Sequence, residues 1–248
     1  LDTVLLALGL ADRLEARRVD RPGLRLSVHG PAAAGVPGDG SNLVLRAAEQ
    51  ILAEHGLATW LEFELEKHIP AGGGLGGGSS DAAAATLATA LLLALEPDSP
   101  ALGAGLARLG SDCTFFLAAR ASGLARCTGR GERVEPWPGT VLAWPLVLVA
   151  PTFGCATERV YKAHRGARRV RPALEAGELA SLSHAALEAR LGNDLLAAAL
   201  ASHPELARFQ ELLEEAAAGR FQLSGSGSSW FALAADEGEA EALRARVV

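Results

Sequence analysis

Six glycines fill seven consecutive positions, Gly72, Gly73, Gly74, Gly76, Gly77 and Gly78, broken only by Leu75. Glycine reaches positive φ and lets another backbone or a ligand approach closely, but it loses more conformational freedom on folding than any other residue. A run of glycines inside a packed domain therefore needs a use, and its flanks say which. Before it, Leu61-Glu62-Phe63-Glu64-Leu65-Glu66 alternates with period two, a strand with one buried face. After it, alanine and leucine dominate residues 81–95, so the pattern predicts a long buried helix, stopped by Glu96-Pro97-Asp98-Ser99-Pro100. A glycine loop running into a helix offers unpaired N–H groups and the positive end of the helix dipole to an anion. Ser79 and Ser80 add hydroxyls at the helix start. A triphosphate, or its Mg²⁺, is the natural ligand. A flexible linker is the competing reading, and it does not suit a position wedged between a strand and a buried helix.

Three phosphate-binding patterns are separable here. A Walker A loop needs Gly-Lys-Ser/Thr, and no lysine follows these glycines. The dinucleotide fingerprint G-x-G-x-x-G is matched by Gly72, Gly74 and Gly77, but six glycines satisfy many patterns. The preceding strand alternates with glutamates, and no second strand follows the helix to carry a ribose-binding acid. A protein-kinase loop is excluded because neither H-R-D nor D-F-G occurs.

The 248 residues are 49% hydrophobic, enough for one large domain or two small ones with real cores. Twenty-nine acidic against 23 basic residues give a formal charge of -6, which argues against a general nucleic-acid binder. Cys113, Cys127 and Cys155 are odd in number and widely spaced, fitting neither a disulfide framework nor a zinc site. A reducing cytoplasm is the expected setting. No apolar span reaches the ~20 residues of a membrane helix, and residues 82–95 and 141–150 read as a buried helix and a buried strand. The chain has no methionine and opens on Leu1-Asp2-Thr3-Val4, which reads as mid-domain sequence, so a missing true start is expected.

Mixed strands and helices without strict alternation predict an α+β class. Residues 24–28 read as a strand and 43–55 as a helix with Ser41 or Asn42 near its N-cap. Residues 101–109 read as a helix, 113–118 as an apolar strand and 123–134 as a hairpin. Pro136-Trp137-Pro138-Gly139 is the expected boundary, dividing the chain into 1–138 and 139–248. Beyond it, a strand at 146–150 is followed by a helix from Thr157, itself an expected N-cap. Helices over 173–200 and 204–218, strands at 221–223 and 230–234, and a closing helix over 237–248 complete the pattern. His29, His55, His164, His184 and His203 read as surface residues and His68 as structural. Trp137, Trp144 and Trp230 read as core or boundary residues, and Arg168, Arg169 and Arg171 as a solvated basic patch.

Several segments together resemble the GHMP kinases. Pro70-Ala71-Gly72-Gly73-Gly74-Leu75-Gly76-Gly77-Gly78-Ser79-Ser80 resembles the family's second motif in an expanded form. Leu109-Gly110-Ser111-Asp112-Cys113-Thr114-Phe115-Phe116 resembles its Leu-Gly-Ala-Asp-Val-Pro-Phe-Phe segment, with Cys113-Thr114 in place of Val-Pro. Thr157 to Lys162 resembles a Thr-Pro-x-x-Tyr-Lys/Arg segment, Gly192-Asn193-Asp194-Leu195 an Asn-Asp-Leu motif, and Leu223-Ser224-Gly225-Ser226-Gly227 the third motif. Leu1 to Leu14 resembles the stretch after the family's Gly-Tyr-His signature, and the first motif itself, with its lysine, is absent.

The resemblance implies a ribosomal-S5-like N-terminal domain and a ferredoxin-like C-terminal domain, with substrates in the cleft between them. It implies ATP and Mg²⁺ as cofactors, and residues 70–80 with Asn42 as the ATP side. Asp112 is implied as the catalytic base, against a reading as a turn-capping aspartate. Thr157, Tyr161, Gly225, Ser226 and Gly227 are implied on the acceptor side, with Tyr161 stacking on cytosine; a ring packed on the C-terminal core is the bland account. The implied reaction phosphorylates the 2-hydroxyl of a diphosphocytidyl-methylerythritol on the non-mevalonate route to isoprenoid precursors. A homoserine, mevalonate or sugar kinase, or a non-catalytic nucleotide-binding relative, are the alternatives. The expected partner is a small-molecule substrate, not nucleic acid or a membrane, and the expected state is a monomer or weak homodimer.

Overall fold

The computed structural model describes residues 1–137, 139, 144–166, 174–179 and 181–247. The expectations for Pro138, Arg168, Arg169 and Arg171 lie outside the described residues. The chain divides into two compact units, Leu1–Ala71 with Gly76–Gly139, and Gly72–Leu75 with Thr140–Val248.

The first unit holds strands β1 (Asp2–Leu6), β2 (Arg13–Arg18) and β3 (Leu24–His29), helix α1 (Leu43–Glu54), strand β4 (Leu61–Glu66), helices α2 (Gly77–Leu92), α3 (Pro100–Leu109) and α4 (Cys113–Ala118), and strands β5 (Leu124–Thr128) and β6 (Arg133–Pro136). Strand β4 is the centre of one sheet, antiparallel to β2 and parallel to β3. Its alternation sends Leu61, Phe63 and Leu65 into the core, each 0% exposed, while the glutamates face out. Helices α1 and α2 pack together over this face. Alanines at 82, 83, 85 and 90 meet residues such as Val44, Ala48 and Ile51, and small side chains let two helices approach closely. A second sheet, β1-β5-β6, is wholly antiparallel, and Phe115, Ala125 and Cys127 form a smaller core beside it.

The second unit holds β7 (Leu146–Val149), α5 (Thr157–Ala163), α6 (Ala176–Leu179), α7 (His184–Arg190), α8 (Leu196–Ser202), α9 (Pro204–Ala217), β8 (Gln222–Leu223), β9 (Trp230–Leu233) and α10 (Glu237–Val247). Strand β9 lies between β7 and β8, both antiparallel to it. Its Trp230 is fully buried with Val160, Leu206 and Leu223. Arg220 fastens this unit, donating to Glu188, Glu239 and the Leu233 carbonyl. Cys113, Cys127 and Cys155 are all free and buried. Among the described residues no helix is long and apolar enough to cross a membrane.

Several expectations are corrected. Residues 113–118 form helix α4, not a strand; a six-residue apolar run has no periodicity to separate the two. The alanine helix begins at Gly77, not Asp81. The single helix over 173–200 is broken by the Ser183 cap and by Gly192-Asn193 into α6, α7 and α8. The α5 N-cap is Ala156, so Thr157 stands inside the helix. Strands β1 and β2 have no expectation to match, because their alternation is irregular. His203 is buried, not on the surface: its Nε2 accepts the Ala156 N–H at 3.1 Å. His184 is partly buried, beside the Trp144 ring.

Candidate active site

In the first unit the site begins with the start of α2. Gly76, the residue before the helix, is left-handed at φ +69. A side chain there would also meet the Phe116 ring at 3.0 Å. No side chain caps α2, and the first intrahelical bond is Ser80 N–H to the Gly76 carbonyl at 2.8 Å. The N–H groups of Gly77, Gly78 and Ser79 are therefore the ones a helix leaves open at its N-terminus. Ser80 Oγ donates back to the Gly77 carbonyl at 2.7 Å, and burial pushes the Cys113 thiol up. The close approach of Gly76 to Phe116 sets the start of α2 against α4.

Asp112 stands at the α4 N-cap with no capping hydrogen bond from its side chain. It is exposed. Its Oδ1 lies 3.3 Å from Ser111 Oγ and 3.3 Å from where a side chain on Gly131 would begin, in the turn between β5 and β6. The carboxylate thus stands at the N-terminal end of α4, next to the β5–β6 turn. Asn42 is committed elsewhere: its Oδ1 accepts the Val44 N–H at 2.9 Å and its Nδ2 donates to the Pro37 carbonyl at 2.7 Å. It is the cap of α1.

Motif reading passes over Lys67. It is 2% exposed, with its ammonium between the carboxylates of Asp12 and Asp81, the latter at 2.8 Å. Asp12 also accepts the N–H groups of His68 at 2.6 Å and Ile69 at 2.9 Å. Burial opposes the charge of Asp12, yet the Ile69, Lys67 and His68 donors together hold its carboxyl below the usual range. Burial dominates at Asp81 and pushes it up to about 6, against the pull of Lys67. The signal was present in the sequence. Period two in β4 buries Leu61, Phe63 and Leu65, and position 67 continues that phase with a charge, which demands partners.

In the second unit, Gly72–Leu75 packs on the turn between β8 and β9. Ser229 N–H donates to the Gly73 carbonyl at 3.0 Å and Ser224 Oγ to the Gly74 carbonyl at 3.3 Å. A side chain at Gly74 would collide with the Gly227 carbonyl at 2.5 Å, and one at Gly154 would lie 2.9 Å from the Gly72 carbonyl. Glycine is required at these approaches. Asn193 braces the turn, donating from Nδ2 to the carbonyls of Leu223 at 2.9 Å and Gly225 at 2.6 Å. Thr157 Oγ1 and Ser226 Oγ share a hydrogen bond of 3.0 Å. Tyr161, one turn along α5 from Thr157, is 47% exposed, so its ring is not packed in the core.

The GHMP kinases N terminal domain model matches residues 42–120, and the GHMP kinases C terminal model matches residues 170–248. The chain belongs to the GHMP kinase family. Two curated relatives sharpen its position among the GHMP kinases. It is 36% identical to 4-diphosphocytidyl-2-C-methyl-D-erythritol kinase of Pelotomaculum thermopropionicum, over 99% of this chain and 84% of that one. It is 38% identical to the enzyme of the same name from Salinispora arenicola, over 97% and 78%. A crystal structure of 4-(cytidine 5'-diphospho)-2C-methyl-D-erythritol kinase is similar to it with a TM-score of 0.71 and 34% identity, covering 98% of this chain and 86% of that one. As a GHMP kinase the chain has the expected α+β architecture. The uncapped start of α2 and the carboxylate at α4 are the parts of this kinase whose chemistry is legible in its own geometry.

Proposed function

We propose that this GHMP kinase transfers the γ-phosphoryl group of ATP to the 2-hydroxyl of 4-diphosphocytidyl-2-C-methyl-D-erythritol. The observation that carries the reading is the open helix start beside Asp112, in a chain 36–38% identical to kinases of that name along nearly its whole length. Phosphoryl transfer needs positioning and charge stabilisation more than covalent chemistry. The N–H groups of Gly77, Gly78 and Ser79 supply donors to phosphate oxygens, and the left-handed glycines leave room for them. Residues 70–80 form the nucleotide loop. Mg²⁺, bound with the triphosphate, neutralises part of its charge. Among the described residues no cluster of three His, Cys, Asp or Glu could cage a metal ion, which suits an ion carried by the nucleotide with a Ser79 or Ser80 hydroxyl beside it.

Asp112 takes the acceptor's hydroxyl proton. The freed oxygen bonds to the γ-phosphorus as its bond to the β–γ bridging oxygen breaks, and ADP leaves. The half-exposed Tyr161 ring stacks on cytosine, with Thr157, Gly225, Ser226 and Gly227 as polar and backbone contacts to the acceptor. Asn42, already spent on its cap, keeps only a packing role near the adenine. We place the two domains at 1–138 and 139–248. The division into compact units supports this, differing by one residue at the boundary and in giving Gly72–Leu75 to the second. The setting is the cytoplasm, as a monomer or weak homodimer.

The test is ADP release from Mg-ATP with the diphosphocytidyl acceptor, homoserine or mevalonate. Stimulation by the cytidyl acceptor alone is expected. Stimulation by homoserine or mevalonate instead would keep the kinase and overturn its substrate.

A further inference from the structure

Lys67 and its two carboxylates join three places that are remote in sequence. Asp12 lies between β1 and β2, Lys67 just past the end of β4, and Asp81 in the second turn of α2. Lys67 and Asp81 are separated by 14 positions, and the whole glycine run lies between them. Asp12 holds the upstream end a second time, through the His68 and Ile69 N–H groups. The Ile69 methyl Cγ2 and the Lys67 ammonium in turn sit 2.9 and 3.3 Å from where a Gly77 side chain would begin. The ammonium therefore lies directly under the first turn of α2, where the open N–H groups are.

A chain of glycines samples many conformations, and bringing its ends together carries an entropic cost. A buried ion pair across those ends closes the loop before any ligand arrives, as a cross-link would. Burying three charges is a poor way to gain stability, since well-packed apolar residues often do as well or better. Its placement astride the glycine run says what else it does.

We propose that Lys67 is a positioning residue for the nucleotide, a clasp that fixes both ends of the glycine loop through Asp12 and Asp81 and so pre-forms the phosphate-binding turn of α2. The inference rests on the reading of that turn as the ATP phosphate site. Lys67 does not touch the reacting atoms; it acts through the loop. Opening the clasp should weaken ATP binding while sparing the transfer step and the acceptor.

The test uses the double variant Lys67→Met/Asp81→Leu, which removes the pair across the loop and leaves Asp12 on the His68 and Ile69 N–H groups, and Lys67→Met, which leaves both carboxylates without their cation. Amide hydrogen exchange over residues 70–80 reads the loop directly, without ligand. Exchange there should speed at least tenfold in the double variant, with the α1 and β4 amides unchanged. Steady-state kinetics should show KM for ATP raised about tenfold or more, with kcat and KM for the acceptor within about threefold. Unchanged loop exchange with native-like protection elsewhere would overturn the clasp, and so would wild-type KM for ATP in a folded double variant. A general loss of protection in the double variant would also overturn it, because the node would then serve the fold at large. If the wild-type chain binds no ATP, the nucleotide reading fails, and the exchange measurement still decides whether the loop is clasped.

Discussion

Asp112 carries the proton transfer in this scheme, and its surroundings set the expectation for removing it. Asp112→Asn keeps the shape and loses the base. Turnover should fall at least ~10²-fold, the usual worth of a placed general base, while ATP affinity stays within about twofold. Near-normal turnover in a direct ADP-release assay would assign the base elsewhere. Asp81 makes a different prediction. Its folded-state pKa, raised by burial to about 6, lies above that of an unfolded aspartate. The folded chain binds this proton more tightly, so the stability that Asp81 contributes is fully present below the unfolded pKa near 4 and is lost as pH rises through about 6. The loss amounts to about 3 kcal/mol at most by the usual conversion. Denaturant melts of wild type and Asp81→Asn from pH 4 to 8 should therefore show the wild type losing ground to the variant up to about pH 6 and holding level above it. A difference independent of pH would remove the buried-carboxylate account. These residues were unequally legible. Asp112 stood out through its motif. Lys67 showed only as a charge in the buried phase of β4, and its choice of Asp81 was hidden, because no local pattern encodes a meeting across 14 positions.

At the scale of elements, α2 shows where local propensity misleads. Glycine is about 1 kcal/mol worse than alanine inside a helix, so propensity starts the helix at Asp81. The structure starts it at Gly77, where Ile69 and Lys67 leave no room for a side chain and packing decides. Gly76→Val joins both penalties, a left-handed backbone and a collision with Phe116. It should raise the dissociation constant for ATP by tenfold or more by calorimetric titration, and an unchanged constant would detach the loop from the nucleotide. Long periodic elements such as α1, β3 and β4 were legible because burial imposes their period. Helix α4 was not, since six apolar residues suit a strand or a helix and only neighbours decide. Strand β2, Arg13–Arg18, has four charged residues in six and owes its state to pairing with β4.

At the scale of the whole molecule, the α+β class followed from element order, whereas the family fold came from motifs spread along the chain. That fold could not have come from composition or periodicity, which many architectures share. The assignment of Gly72–Leu75 to the second unit was invisible in sequence as well. It depends on Gly74 meeting Gly227 across 153 positions, an approach only bare backbone allows.

The three buried cysteines turn the two units into separate clocks. A thiol reacts as its thiolate, and burial both hides these sulfurs and pushes their pKa up, to about 11 at Cys127. An aromatic disulfide reagent at pH 8 should find almost nothing to titrate in the native protein and three thiols in guanidinium. Cys113 and Cys127 belong to the first unit and Cys155 to the second. Mass-spectrometric labelling of each peptide against time would then give an opening rate for each unit from one unmodified sample. Labelling of all three within the mixing time under native conditions would mean that neither interior is sealed. Slow labelling would date the first breach in each unit, with no probe added to the chain.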